Sequence, residues 1–131
     1  MRHLIALDAQ NVLRRLRARA EEMVSLFSRL RDRTPMIETA RTWFLTITFS
    51  ELSLLEPAEQ KAVNAFYDAL DELRWYLQYT EDMPGQVQTR LSQLLRALEE
   101  QHRALTLAIG HPDAEGARVV DAEVVRKKAA R

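Results

Sequence analysis

From Ile5 to Arg33 the chain contains no glycine or proline, and apolar residues recur at alternating spacings of three and four: Ala6, Ala9, Leu13, Leu16, Ala20, Met23, Phe27 and Leu30. Side chains so spaced share one face of an α-helix. Ile5, Val12, Val24 and Leu26 flank the seam and widen it. A strict two-position seam would suit a dimeric coiled coil, whereas a wider stripe suits a bundle helix that touches two neighbours. A long helix with such a face must be covered, so the rest of the chain is expected to supply matching faces.

It does so in at least two places. Glu56-Pro57 sets proline at a helix start, and Val63, Phe66, Leu70, Leu73 and Leu77 form a second heptad seam, which predicts a helix over 57–80. Asp82-Met83-Pro84-Gly85 is the clearest turn in the chain. After it, Leu91, Leu94, Leu98 and Leu105, widened by Leu95 and Ile109, predict a helix over 86–109 that Gly110-His111-Pro112 stops. Thr34-Pro35 predicts another start, with a helix over 35–52. Its stretch Trp43-Phe44-Leu45-Thr46-Ile47-Thr48-Phe49 is ambiguous, because its β-branched and aromatic content also suits a strand. Helix is preferred: Glu38-Thr39-Ala40-Arg41 leads straight into it and a lone strand has no evident partner. Ala40, Trp43 or Phe44, and Ile47 would form its buried face.

Only three glycines and four prolines serve 131 residues, as long helices with few connections require. The expectation is an all-α chain: an antiparallel four-helix bundle over residues 1–110 (helices about 5–33, 35–52, 57–80 and 86–109), then a linker and an extended or disordered C-terminal tail over 111–131.

Charge is balanced overall, with 19 basic and 19 acidic residues, which removes the compositional case for a nucleic-acid or membrane-surface protein. It is unevenly placed, however. Residues 1–33 carry eight arginines against four acids, and residues 51–82 carry eight acids against Lys61 and Arg74. The first and third long helices should therefore attract at their flanks, with exposed pairs contributing about 0–1 kcal/mol each. Cysteine is absent, which excludes disulfides, thiolate catalysis and zinc–thiolate sites. The apolar run Leu4–Leu7 is too short for a signal peptide, and the uncharged stretch Thr42–Ser50 is far short of a membrane span. A cytoplasmic protein with no membrane partner is expected.

Few residues suggest chemistry. Glu99-x-x-His102 puts a carboxylate and an imidazole on one helical face, as in di-iron carboxylate bundles, but the chain has no second such motif. Arg14, Arg15, Arg17, Arg19, Arg29, Arg31 and Arg33 could track a phosphate backbone, yet they spread around the helix without interleaved aromatics. Asp68, Asp71, Glu72, Glu99 and Glu100 lie at helix-surface spacings with no sign of a cleft. Three histidines at 3, 102 and 111 assemble no catalytic constellation, and no glycine-rich phosphate loop is present. No enzyme activity, cofactor or small-molecule substrate is expected.

Recognition features are clearer. Trp75 falls furthest from the Val63–Leu77 seam, Tyr79 follows one turn later, Tyr76 flanks them, and Glu72 and Arg74 rim the stripe. Outward aromatics of this kind are enriched in protein interfaces. In the tail, Val120, Ala122 and Val124 alternate on one side of a short segment that could add as a strand or lie in a groove. Val119-Val120-Asp121-Ala122-Glu123 resembles the terminus of bacterial heat-shock chaperones of the DnaK family; similar tails close many unrelated bacterial proteins, so no function follows. The sequence points to a non-enzymatic adaptor, scaffold or assembly subunit that binds another protein or itself through Glu72, Trp75, Tyr76, Tyr79, Val120 and Val124. The alternatives are a metal-binding bundle built on Glu99 and His102, and a nucleic-acid-binding helical subunit.

Overall fold

The computed structural model describes residues 1–110, which are helical with no strand among them. Three long helices, α1 (Arg2–Leu30), α4 (Pro57–Tyr79) and α5 (Pro84–Ile109), carry the three seams. Between α1 and α4 lie two short helices, α2 (Thr34–Thr39) and α3 (Phe49–Leu52), and one 3-10 turn, Phe44–Thr46.

The seams close the core much as their spacing implies. Ile5, Val12 and Leu16 of α1, Val63, Phe66 and Leu73 of α4, and Leu98 of α5 are fully enclosed. Leu30, at the end of the first seam, is exposed, because it is the last residue of α1. Arg31 stops it in the left-handed region (φ 54), with its N–H on the Phe27 carbonyl. At the start of α4, Glu56 and Glu59 form a reciprocal capping box.

α5 packs along both α1 and α4, and α2 lies across α1 and α4. Side-chain bonds set the directions. Arg2 meets Glu59 where both helices begin, and Arg33, just past α1, donates to the Gln78 carbonyl near the end of α4. α1 and α4 therefore run the same way, and α5, joined to α4 by a tight turn, runs against both. The expected attraction between the positive first helix and the acidic third is met where the two helices begin, by Arg2 and Glu59; at the other end Arg33 takes a backbone carbonyl and no acid. In mid-helix, Arg17 turns instead to Glu99 of α5, at 2.8 Å.

The helix expected over 35–52 does not form as one element, and with it the fourth long wall of the expected bundle is missing. α2 ends at Thr39 because α1 captures the next backbone groups. Arg15 donates to the carbonyls of Thr39 and Arg41, and Asp8 accepts the Trp43 N–H at 3.0 Å and the Thr42 hydroxyl. These groups are thereby satisfied outside a helical ladder, in a stretch whose β-branched residues favour a helix weakly. Phe44 then stacks on Tyr67 of α4, ring centroids 3.7 Å apart. Thr48 caps the restart by accepting the Glu51 N–H. Residues 43–49 are thus neither the preferred helix nor the competing strand; they form a strap that crosses back over α1 and α4.

The Arg2–Glu59 junction makes a testable contribution. Glu59 is buried and accepts two bonds from Arg2, at 2.6 and 2.8 Å, and the Glu56 N–H at 2.8 Å. The Arg2 bond first, and the Glu56 N–H next, hold its carboxyl below the ordinary 4.5. The folded state thus takes up this proton less readily than the unfolded chain, so the contribution is whole above pH 4.5 and is lost as pH falls through the lower folded-state value. Glu59→Gln should lower stability at neutral pH by about 1–2 kcal/mol, an effect urea denaturation can resolve. The difference from the parent should shrink as pH drops below 4.5.

Candidate interaction surfaces

α4 buries one side against α5 and α2 and leaves the other bare. On that bare side Asp68, Asp71, Glu72, Trp75 and Tyr79 are all exposed. Their spacings of three and four make them a single ridge. Trp75 is 65% exposed and Tyr79 53%, with their rings tilted against each other at a centroid distance of 4.3 Å. Two large aromatics standing in water at adjacent turns, with no described residue over them, are what a partner surface would bury. A cleft of about 340 Å³ opens beside them, with Asp71, Glu72 and Thr80 on one side and Arg90 of α5 across from it.

Tyr76 behaves differently from its expected companions. It is half-buried, packs on the core and donates its hydroxyl to Asp82 at 2.8 Å. Burial, more than any neighbour, raises its phenol above the usual value. Tyr76 therefore anchors the turn into α5, and the outward pair is Trp75 with Tyr79. Arg74 is half-buried beneath the ridge, and its enclosed Nε has no acceptor among the described residues.

A second surface had no counterpart in the sequence reading. The strap and the first half of α1 enclose a groove of about 600 Å³, lined by Met1, Leu4, Leu7, Trp43, Phe44 and Ile47, with Asn11, Arg15 and Glu51 at its polar edge. Trp43 is 71% exposed at its rim, although the sequence offered it as a buried helical face. Phe49, on α3, is 91% exposed. The groove exists only because the chain between α2 and α3 is not a helix. A signal for that was present: Thr48-x-x-Glu51 is a capping-box pattern in the middle of the expected helix. Asp8, a carboxylate next to an apolar seam, was the other.

The remaining candidates are placed elsewhere. Glu99 accepts from Arg17, and the His102 ring packs by Phe66 at a centroid distance of 6.0 Å. No group of three His, Asp or Glu side chains gathers around them among the described residues. Of the arginines that suggested phosphate contacts, Arg15, Arg17 and Arg33 are spent on carbonyls or Glu99, and Arg31 lies over the Phe27 ring. Val120 and Val124 lie outside the described residues. No described helix is long and apolar enough to cross a membrane. No known protein family, curated protein or solved structure matches the chain.

Proposed function

We propose that this protein is a non-enzymatic interaction module, an adaptor or assembly subunit of the cytoplasm, whose docking surface is the bare face of α4. The exposed Trp75–Tyr79 pair carries this reading. Both residues are more than half exposed although the same helix buries a complete heptad seam. Large aromatics supply much of the binding energy where interfaces form, and their isolated exposure is otherwise unfavourable.

The test compares the full chain with its Trp75→Ala/Tyr79→Ala variant. Both positions are solvent-facing, so melting should change by no more than about 0.5 kcal/mol in stability. Capture from cells of the source, or self-association measured by sedimentation, should weaken at least about tenfold. Equal recovery of the same partner by both proteins would remove the α4 face from the reading.

A further inference from the structure

We infer that the α4 face receives a basic linear segment of a partner protein, with one arginine or lysine laid over the Trp75 ring and others paired with Asp71, Glu72 and Asp68. This rests on the reading of that face as the docking surface and adds the chemistry of what it binds.

Charge is the first ground. Asp68, Asp71 and Glu72 are exposed, and none has an ion pair or hydrogen bond among the described residues. They lie in a segment, residues 51–82, that carries eight acids against two bases. The arginine-rich α1 does not neutralise them: its pairs go to Glu59, at the far end of α4, and to Glu99 on α5. Uncompensated carboxylates beside an aromatic face attract cations twice over, by Coulomb interaction and through the negative face of the ring. Arginine suits both, since its planar guanidinium stacks on an indole and forks onto a carboxylate.

Spacing is the second ground. Helical rise places Asp68 about 16 Å from Tyr79 along the axis. An extended peptide advances about 3.3 Å per residue and presents every second side chain to one side, about 6.6 Å apart. Neighbours on the helical ridge are about 5–6 Å apart. A segment of about five residues with basic side chains at alternating positions therefore spans the ridge. Two nearby cations oppose such a ligand: Arg90, across the cleft, and Arg74, half-buried beneath the ridge.

The experiment uses the full chain carrying Trp43→Phe. Only two tryptophans are present, so Trp75 then reports alone. The probe is the blocked peptide Arg-Ser-Arg-Ser-Arg, with Glu-Ser-Glu-Ser-Glu as control. A saturable change in Trp75 emission is expected, with a dissociation constant on the order of 0.1 mM at about 50 mM salt. Asp71→Asn/Glu72→Gln should weaken it about fivefold at that salt and make no difference at about 1 M. Arg90→Ala should tighten it about twofold, a gain that a merely structural Arg90 would not give. The inference is overturned by the absence of a saturable response, by equal binding of the acidic peptide, or by indifference to salt. It is overturned as well if the basic peptide binds only after Arg126, Lys127 and Lys128 are made serine, because the occupant is then the chain's own terminus. Loss of partner capture in Trp75→Ala/Tyr79→Ala alongside no peptide response would keep the docking surface and remove only its cationic ligand.

Discussion

Asp8→Ala should destabilise the protein by about 2–4 kcal/mol. Asp8 is one carboxylate on α1 that serves three donors from two other parts of the chain: the Trp43 N–H at 3.0 Å, the Thr42 hydroxyl, and the Tyr67 hydroxyl at 2.7 Å. The last is the most demanding. Tyr67 is buried, and with Asp8 gone its hydroxyl loses its short partner and keeps the Ile5 carbonyl, at 3.5 Å, and the neighbouring Thr42 hydroxyl. Burial first, and the Asp8 charge next, raise the Tyr67 phenol far above its usual range, so it remains a donor at any ordinary pH. Asp8→Asn keeps one acceptor oxygen and should lose less, about 1–2 kcal/mol. Urea denaturation should show the midpoint falling at nearly unchanged slope. A double-mutant cycle with Tyr67→Phe should give a coupling of about 1–2 kcal/mol, since removing both partners removes the orphan. A loss in Asp8→Ala below about 0.5 kcal/mol would mean that the strap is held by Phe44 packing and not by this carboxylate.

That same carboxylate marks the border of what the sequence discloses. The three seams were legible because helical periodicity is local: each residue's face is set by its own neighbours, whatever the rest of the chain does. The outward position of Trp75 and Tyr79 was legible for the same reason, being the complement of the Val63–Leu77 seam. The strap was not. Its backbone leaves the helix because Asp8 and Arg15, about thirty residues earlier in the chain, accept and donate to groups that a helix would have paired internally. Within 35–52 only the Thr48-x-x-Glu51 restart hints at the break, and the groups that cause it lie outside that window. The groove inherits the same opacity, because one wall is a helix face and the other is chain that the periodicity assigned to a helix.

Charge reading failed in part for a related reason. Opposite net charges on the first and third helices predict attraction but not partners. Arg2 finds Glu59 as expected, while Arg15 takes two backbone carbonyls and Arg17 takes Glu99. An arginine has five donors and a long stem, so it serves whichever acceptor the packing leaves open. The acids on the bare side of α4 are what this allocation leaves over. That residue of unpaired charge, more than the total on the helix, is what distinguishes the α4 face from an ordinary solvated one.

Phe66→Ala should have the other large effect, a loss of about 3–5 kcal/mol. Phe66 is fully enclosed on α4, meets the Tyr67 ring edge-on at 4.9 Å and 86°, and lies beside the His102 ring of α5. Removing it opens a cavity between α4 and α5 and withdraws the support of Tyr67, on which Phe44 of the strap is stacked. The effect should therefore travel towards the strap and not along α4 to Trp75. Trp43 and Trp75 offer separate reporters when each is retained alone. In Phe66→Ala at temperatures below unfolding, Trp43 emission should shift and Trp75 emission should not. Against a typical domain stability of about 5–15 kcal/mol, the loss should lower the melting temperature by about 10 °C or more. Phe66→Leu, which keeps most of the volume, should lose about 1–1.5 kcal/mol. If Phe66→Ala loses under about 1 kcal/mol, or disturbs Trp75 as strongly as Trp43, then the core and the bare face of α4 are not the independent sides of one helix that the geometry implies.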